Sequence, residues 1–180
     1  LPNHINENKI IDFISPKKDV DGFHPENLGY LLRGTPRFIP CTPLGIIKIL
    51  EHYKIIIENT HVVIVGRSNI VGKPLFALMG QKFDIGNATV TMCHTGTKDL
   101  SYHTKQADVL FVAIGISNFI NKDMVKEGVD IIDVGINRID SKKTSSGYKI
   151  VGDVDAKSVM GKANSLTPVP GGVGPMTITM

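Results

Sequence analysis

The chain has 180 residues, of which 42% are hydrophobic and 21% are charged, and its formal net charge is +3. This composition is typical of a globular protein with one core, or one core and part of a second. No apolar run approaches the roughly 20 residues of a membrane span, and the N-terminus lacks the features of a signal peptide, so we expect a cytoplasmic protein without a membrane partner. The basic pairs are short and separate, which argues against a nucleic-acid partner.

The cysteine content and the chain ends give two further expectations. Cys41 and Cys93 do not make a disulfide framework, and neither lies at metal-ligand spacing from another such residue, so we expect reduced thiols and no metal site. The chain begins at Leu1 and stops within an apolar stretch, residues 176–180, that resembles the opening of a helix. Both ends therefore look cut, and we expect a longer parent protein.

The first third of the chain predicts helices. Isoleucines at near-helical spacing predict a short helix over residues 4–14, and a brief amphipathic turn or two is predicted over residues 25–32. Thr42 is a suitable N-cap, with Pro43 at the first helical position, and the apolar residues that follow predict a helix to about Tyr53.

From His61 onward, short apolar strands alternate with helices. The β-branched run over residues 62–65 is typical of a strand that is buried on both faces of a parallel sheet. Strands are predicted over residues 62–65, 88–92, 109–114 and 131–134, helices over 71–82, 97–106, 122–126 and 155–162, and a hairpin loop over 138–148 that leads into 149–151. This alternation predicts an α/β fold, a Rossmann-type doubly wound parallel sheet with helices on both faces.

The turn over residues 66–74 follows the first strand directly and opens a helix. Unpaired N–H groups at a helix N-terminus attract phosphate, and Gly66 and Gly72 allow a close approach to the backbone. The turn is not a Walker A loop, because five residues separate Gly66 from Gly72 and Pro74 follows the lysine. It is an imperfect dinucleotide motif, since Ser68 replaces the second glycine. The position of the turn, between the first strand and a helix, favours a nucleotide site more than its residue pattern does.

The end of the second strand, residues 92–97, indicates which nucleotide binds there. NAD sites usually place an acid at this point, whereas a 2′-phosphate is better matched by positive charge and hydroxyl groups. This segment holds no acid, Arg67 can bind a phosphate and Thr95 can donate its hydroxyl, so NADP fits better than NAD. A solvent-exposed turn residue is an equal interpretation of Arg67, and His94 could equally belong to the core.

Several carboxylates have two interpretations each. Two acids, Asp19 and Asp21, stand shortly before a glycine, where an Asx-turn is the simplest role and ligand binding is the alternative. Asp133 ends the fourth strand on the side where doubly wound sheets bind ligands, and Asp153 follows the next strand with the same ambiguity.

A loop near the C-terminus has an unusual composition. Eight consecutive positions from Pro168 hold three prolines, three glycines and two valines. Neither a helix nor a strand tolerates this composition, so the segment is a shaped loop. A tight surface turn is one interpretation. Because the loop is uncharged and contains two valines, we favour a wall against which a flat, partly apolar ligand lies.

Together these segments resemble one family. The order and spacing of seven of them are those expected of the bifunctional methylenetetrahydrofolate dehydrogenase/cyclohydrolase (FolD) family: KDVDGF, PCTP, GRSNIVGKP, CHTGT, DVGIN, VGDVD and TPVPGGVGPMT. The resemblance covers essentially the whole chain. It implies NADP-dependent oxidation of 5,10-methylenetetrahydrofolate to the methenyl form, hydrolysis of that form to 10-formyltetrahydrofolate, and a homodimer of two-domain subunits.

The resemblance also implies roles for individual residues. The cofactor would bind at Gly66, Arg67, Ser68, Thr95 and Ile136, with Thr95 near the 2′-phosphate and Ile136 on the nicotinamide side. The acid that orients the folate pterin is matched by Asp21, and the loop that lines the folate pocket is matched by Pro170, Gly171, Gly172 and Val173. The family's catalytic lysine, in a Tyr-x-x-x-Lys motif, is expected upstream of Leu1.

The domain organisation follows from the same resemblance. We expect residues 1–40 to be the remnant of an N-terminal substrate domain, residues 41–165 to form the NADP-binding domain, and residues 166–180 to form the folate-pocket loop and the start of a C-terminal helix. Two alternatives remain: a non-catalytic NADP-binding module, and another Rossmann dehydrogenase of the shikimate dehydrogenase type.

Overall fold

The structure is a computed structural model that describes residues 4–83, 85–142, 144 and 147–180. Its helices are α1 (Glu7–Phe13), α2 (Pro25–Arg33), α3 (Cys41–Tyr53), α4 (Gly72–Gly80), α5 (Leu100–Thr104), α6 (Ala156–Val159) and α7 (Val173–Thr179). Its strands are β1 (His61–Val65), β2 (Thr89–Cys93), β3 (Val109–Val112), β4 (Asp130–Asp133), β5 (Asn137–Asp140), β6 (Tyr148–Val151) and β7 (Ser165–Leu166), and a 3-10 turn spans Lys122–Met124.

Five parallel strands form the central sheet, in the order β2-β1-β3-β4-β7. The chain leaves β1 for β2 on one side and then returns to place β3 on the other side of β1. This reversal is the topological switch point of a doubly wound sheet. The predicted α/β fold of Rossmann type is therefore confirmed.

Helices cover both faces of the sheet, because the side chains of the central strands alternate between two cores. Val62 and Ile64 pack into one cluster with residues of α3, α4 and α7. Val63 and Val65 pack into the other cluster, which includes residues of α5 and α6. All four side chains are almost completely buried. A strand that is buried on both faces needs apolar residues at every position, and this explains the continuous β-branched run.

The two N-terminal helices differ in their contact with these cores, because α1 lies outside them whereas Leu31 of α2 is buried in the first cluster. The Asn6 side chain accepts a hydrogen bond from the backbone of Lys9 and caps α1, which contains no buried residue, and Phe13 is 91% exposed. Helix α2 packs against α4, and the Gln81 amide donates to the carbonyl oxygen of Leu31 at 2.5 Å. This contact fastens the end of α2 to the sheet domain.

The N-cap prediction for α3 is wrong. The helix begins at Cys41 and the capping position is Pro40, so Thr42 and Pro43 both lie within the first turn. Instead of capping the helix, the Thr42 hydroxyl lies 3.0 Å from the hydroxyl of Thr177 in α7. A tertiary partner from the far end of the chain thus replaces the local capping bond.

Strand β3 and helices α5 and α6 are shorter than predicted, and hydrogen bonds to carboxylates explain three of the limits. The Asp99 carboxylate accepts a hydrogen bond from the backbone of Tyr102 and caps α5, so the helix starts three residues later than predicted. Asp155 caps α6 through the backbone N–H of Ser158. The ladder of β3 ends at Val112, because the next free amides bind a carboxylate that is described below.

The loop prediction over residues 138–148 is also wrong in part. Strand β5 (Asn137–Asp140) pairs antiparallel with β6 (Tyr148–Val151), and the Arg138 guanidinium stacks on the Tyr148 ring at 3.7 Å. Positions 143, 145 and 146 of the predicted loop lie outside the described residues. The sequence did not predict β5, because the strand contains charged residues, is exposed on alternate positions and contributes little to a core. In the described part of the chain, none of the helices is long and apolar enough to cross a membrane.

Candidate cofactor and substrate site

The switch point of the sheet lies between the carboxyl ends of β1 and β3. Gly66 follows β1 and donates its N–H to the carbonyl oxygen of Cys93 at 2.9 Å, with φ of +130°. A Cβ atom on Gly66 would overlap the carbonyl oxygen of Ala113, which follows β3. Only glycine fits at this position, because the backbone has a positive φ and because the segments after β1 and β3 approach so closely.

The second glycine of the turn, Gly72, packs against the first, Gly66. A Cβ atom on Gly72 would overlap the carbonyl group of Gly66, so the start of α4 packs directly against the end of β1. The spacing of the two glycines therefore serves the packing of the turn. This close approach places the N-terminus of α4 at the switch point, where dinucleotide pyrophosphates bind in folds of this type.

Ser68 organises the same turn. Its hydroxyl oxygen accepts hydrogen bonds from the backbone N–H groups of Val71 at 3.1 Å and Gly72 at 3.3 Å. Its carbonyl oxygen accepts a bond from the N–H of Lys73 at 3.0 Å. A hydroxyl that accepts two bonds can still donate one, so Ser68 can present its hydrogen to a phosphate while it holds the turn closed.

A cavity of about 240 Å³ opens at this point. Three predicted cofactor residues line it: Gly66, which is buried, and Arg67 and Thr95, which are exposed. No acidic residue is among its lining residues, which are Val65, Gly66, Arg67, His94, Thr95, Leu100, Ala113, Ile114, Ile116 and Phe119. The cavity combines a cation, a hydroxyl and apolar walls, a set that suits a nucleotide carrying an extra phosphate.

The structure resolves the ambiguity over His94 in favour of the cavity. This side chain is half-buried at the end of β2, and its Nδ1 accepts the N–H of Gly96 at 3.0 Å. In the neutral ring the proton is then on Nε2. The sequence did not assign His94, and the signal that identifies it is its place directly after the last strand residue.

A second cavity, of about 700 Å³, lies beside the carboxyl end of β4. It brings together the predicted nicotinamide residue and the predicted folate loop. Its lining residues are Thr42, Val71, Asp133, Val134, Gly135, Ile136, Ile150, Pro168, Val169, Pro170, Gly171, Gly172, Val173, Gly174, Pro175, Thr177 and Ile178. Ile136 is 65% exposed and approaches Gly174. A flat ligand on the loop would therefore lie next to Ile136.

The loop itself is tightly folded. The Val169–Pro170 peptide bond is cis, and Gly171 has φ of +105°. A Cβ atom on Gly172 would lie 2.5 Å from the carbonyl oxygen of Pro168, so the backbone turns back on itself there. Gly171 and Gly172 also border a cavity of about 710 Å³ behind the loop, between α3, β7 and α7. The loop thus forms a thin wall between two cavities.

The structure does not place Asp21 in the lining of these cavities. Asp21 is exposed, and its Oδ1 lies 3.9 Å from the Cys41 sulfur at the start of α3. The neighbouring residue of that helix, Thr42, lines the second cavity. Asp21 therefore lies beside the start of α3, and its role in folate binding stays a prediction.

The other carboxylate of the pair forms the turn. Asp19 is buried and accepts hydrogen bonds from the backbone of Phe23 at 3.2 Å, the backbone of His24 at 2.8 Å and the amide of Asn27 at 2.8 Å. Burial alone would raise the pKa of the Asp19 carboxyl, but these hydrogen bonds outweigh it and hold the pKa below the ordinary value. Because Asp19 makes the Asx-type turn, the side chain of Asp21 is not needed for it.

Asp133 and Asp153 are both buried, but only Asp133 is among the lining residues of the second cavity. Asp133 Oδ1 accepts the N–H groups of Gly135 at 2.9 Å and Asp153 at 3.0 Å, and its Oδ2 accepts the N–H of Val154 at 3.0 Å. Burial raises the pKa of the Asp133 carboxyl, and the charge of Asp153 adds to this effect although the three hydrogen bonds oppose it. Each acid has a glycine close to it in the sequence, and these glycines are the signal that the carboxylates are tightly packed. A Cβ atom on Gly135 would overlap the Asp153 carboxylate, and one on Gly152 would overlap the Asp133 carboxylate.

In the part of the chain that the structure describes, no group of three or more His, Cys, Asp or Glu side chains could hold a metal ion.

These features define a class of protein. A glycine turn between the first strand and the first crossover helix, a cavity at the switch point and a parallel sheet covered on both faces make a dinucleotide-binding domain of the Rossmann type.

Comparison with known proteins identifies the family. Residues 40–180 match the sequence model described as tetrahydrofolate dehydrogenase/cyclohydrolase, NAD(P)-binding domain. The chain belongs to this family.

Individual relatives agree with this assignment. The chain is 57% identical to the bifunctional protein FolD of Chloroherpeton thalassium over 182 residues, which cover 100% of the chain and 62% of the relative. It is 57% identical to the FolD protein of Salinibacter ruber, of which it covers 60%. The chain therefore spans about three fifths of the length of these relatives.

Two solved structures are similar throughout the chain. The bifunctional FolD enzyme of Campylobacter jejuni matches with a TM-score of 0.89 and 53% identity, over 99% of this chain and 60% of that one. The FolD enzyme of Trypanosoma brucei, solved in complex with NADP cofactor and inhibitor, also has a TM-score of 0.89, at 33% identity over 99% of this chain and 60% of that one.

Proposed function

We propose that this chain is the NADP-binding part of an enzyme that oxidises 5,10-methylenetetrahydrofolate to the methenyl form and hydrolyses that product to 10-formyltetrahydrofolate. The observation that carries the proposal is the second cavity, in which Ile136 and the loop wall face the same space. A nicotinamide ring at Ile136 and a folate on the loop would then lie side by side, as hydride transfer requires.

The cofactor would extend from the first cavity to the second. Its pyrophosphate would bind at Gly66, the hydroxyl of Ser68 and the N-terminus of α4, and its 2′-phosphate would bind Arg67 and Thr95. Bound NADP would supply the hydride acceptor. The chain's own residues would orient the ring: the exposed face of Ile136 on one side and the packed backbone of the turn on the other.

The folate would be held from two directions. A preformed apolar wall would be offered by Pro170, Gly171, Gly172 and Val173. Asp21, which lies beside the start of α3, would accept hydrogen bonds from pterin N–H groups. General acid–base chemistry at the reacting carbon needs a titratable group within hydrogen-bond reach. The family resemblance implies a lysine in a Tyr-x-x-x-Lys motif for this step, and because that motif does not occur in these 180 residues we assign the step to none of them.

We also propose a division of the chain by role. Residues 1–40 would belong to the substrate domain, residues 41–165 to the cofactor domain and residues 166–180 to the folate loop and its following helix. Strand β7 (Ser165–Leu166) spans the second of these boundaries, and α7 packs against α3, so the last segment is attached to the cofactor domain at both of its ends. We further propose a homodimer that works in the cytoplasm.

Two binding measurements test the proposal. Calorimetric titration of NADP and NAD into the chain should show tighter binding of NADP, and equal affinities would contradict the cofactor assignment. In a thermal shift assay, tetrahydrofolate should raise the melting temperature of the NADP complex, whereas shikimate should not. Protection by shikimate alone would favour the other Rossmann dehydrogenase, and protection by neither would favour the non-catalytic NADP-binding module.

A further inference from the structure

Asp153 is a buried carboxylate that contacts neither ligand cavity directly. Its exposed fraction is 0%, and it is not among the lining residues of the cavities described above. A charged group in such a place must be matched by hydrogen-bond donors, since an unpaired buried charge is strongly unfavourable. The identity of those donors shows what the carboxylate holds.

One oxygen of Asp153 holds the wall of the first cavity, the one lined by Arg67 and Thr95, which is called the nucleotide cavity from here on. Its Oδ2 accepts the backbone N–H groups of Ile114 at 2.7 Å and Gly115 at 2.9 Å. These are the residues directly after Ala113, and Ala113, Ile114 and Ile116 all line the first cavity. The position of this wall therefore depends on Asp153.

The other oxygen holds the segment that carries Ile136. Asp153 Oδ1 accepts the side-chain amide of Asn137 at 2.8 Å, and Asn137 is the residue after Ile136. Asp133 secures the same segment from behind, because its carboxylate binds the backbone of both Gly135 and Asp153. Hence one side chain touches both the nucleotide wall and the nicotinamide segment.

We propose that Asp153 is a positioning residue that fixes the nucleotide cavity and the nicotinamide segment relative to each other, with Asn137 as the link to the second. The inference rests on the proposed NADP site. Two cavities that bind the two ends of one cofactor gain affinity only when their separation matches the cofactor, and a buried, fully bonded link keeps that separation fixed. Each bond of Asp153 has a separate effect: the Ile114 and Gly115 bonds act on the first cavity and the Asn137 bond acts on the second.

The first test separates the two ends of the cofactor. Two ligands are titrated calorimetrically: NADP, which reaches both cavities, and adenosine 2′,5′-bisphosphate, which is confined to the nucleotide cavity. Asn137→Ala removes the link, together with a long hydrogen bond from the same amide to the carbonyl oxygen of Val151 at 3.5 Å, so it should weaken NADP about fivefold and leave the bisphosphate unchanged. Asp153→Ala removes the acceptor for Ile114 and Gly115 as well as the link, so it should weaken both ligands. If Asn137→Ala changes both ligands equally, or neither, the proposed link is wrong.

The second test exchanges the partners. In Asp153→Asn the new amide can still accept from Ile114 and Gly115, but its NH₂ group then faces the NH₂ group of Asn137. In Asn137→Asp two carboxylates face each other. The double variant restores one donor and one acceptor, so NADP affinity should drop about tenfold in each single variant and largely return in the double variant. A double variant that binds as weakly as the single variants would overturn the proposal.

A matched control distinguishes positioning from general loss of stability. Asp19 is bonded in the same way, by two backbone N–H groups and one asparagine amide, but it lies away from the nucleotide cavity. Asp19→Asn should lower the melting temperature without changing affinity for NADP, measured where all variants are folded. If NADP affinity falls with stability to the same extent in both Asp19→Asn and Asp153→Asn, the positioning role is refuted. A wild-type chain that does not bind NADP would instead refute the proposed function.

Discussion

Arg67→Ala offers the sharpest measure of cofactor choice. Arg67 lies at the rim of the nucleotide cavity, in a lining without any acid, and NADP differs from NAD only by the 2′-phosphate. A charge-assisted hydrogen bond contributes roughly 1.5 to 3 kcal/mol. Since Arg67 is exposed, solvent and salt screen the charge, and we expect a loss near the lower end, about 1.5 kcal/mol or roughly tenfold in affinity.

Calorimetric titrations with both cofactors should therefore show a selective effect. NADP affinity should fall about tenfold in Arg67→Ala, whereas NAD affinity should barely change, and the difference should shrink at high ionic strength. Arg33→Ala is the matched control, because it removes the same charge from an exposed position at the end of α2, outside the cavity. Equal losses for NADP and NAD would show that Arg67 does not read the 2′-phosphate.

Four other outcomes are expected. In the full-length enzyme, Asp21→Asn should raise the Kd for folate and leave that for NADP unchanged, because an acceptor becomes a donor at constant shape; an unchanged folate Kd would remove Asp21 from the site. Gly72→Ala should lower the free energy of unfolding by about 1 to 3 kcal/mol in urea and weaken NADP binding, because the new methyl group overlaps the backbone of Gly66. The control Gly29→Ala places its methyl group where no atom lies within 4 Å, so it should be neutral or stabilising. Equal effects of the two substitutions would refute the packing argument. Folding lowers the pKa of the Asp19 carboxyl from its ordinary value of 3.8, so the ionised carboxylate should stabilise the folded protein fully above pH 3.8 and lose this effect as the pH falls through the lowered pKa. The difference in unfolding free energy between wild type and Asp19→Asn should therefore shrink as the pH is lowered below 3.8, and a difference that does not depend on pH would contradict this expectation. Finally, the 180-residue chain should bind NADP but show no hydride transfer at saturating NADP and methylenetetrahydrofolate, and turnover near that of a complete family member would show that the catalytic lysine is misplaced.

The sequence predicted the parallel sheet because burial on both faces leaves a local mark. Strands β1 and β3 consist mainly of apolar residues and β4 has an apolar centre, and their predicted positions differ from the observed ones by a residue or two. Strand β7 (Ser165–Leu166) leaves no such mark. It has two residues, and pairing with β4 through Asp130 and Ile131 is what makes it a strand. Only the tertiary structure supplies that information.

Side-chain roles were harder to predict than strands. Thr42 is a good capping residue by local rules, yet its hydroxyl meets Thr177, which lies 135 positions away in the sequence. Asp19 and Asp21 could not be told apart, because both stand in the same short turn and only burial separates them. Asp133 and Asp153 were ambiguous for the same reason: a carboxylate at a strand end can face the ligand or the core, and the adjacent glycines indicate the core only once the packing is known.

The attachment of the loop over residues 167–172 has a consequence for the energetics of binding. At one end, Thr167 follows β7 and its hydroxyl bonds the backbone of Asp133. At the other end, α7 packs so closely on α3 that a side chain on Gly45 would press against Met176. The loop is thus held in one shape before any ligand arrives, and the entropy of ordering it is lost during folding. Calorimetry of folate binding should accordingly show a heat-capacity change that reflects only the apolar surface covered by the ligand, without the larger change that accompanies the ordering of a flexible loop.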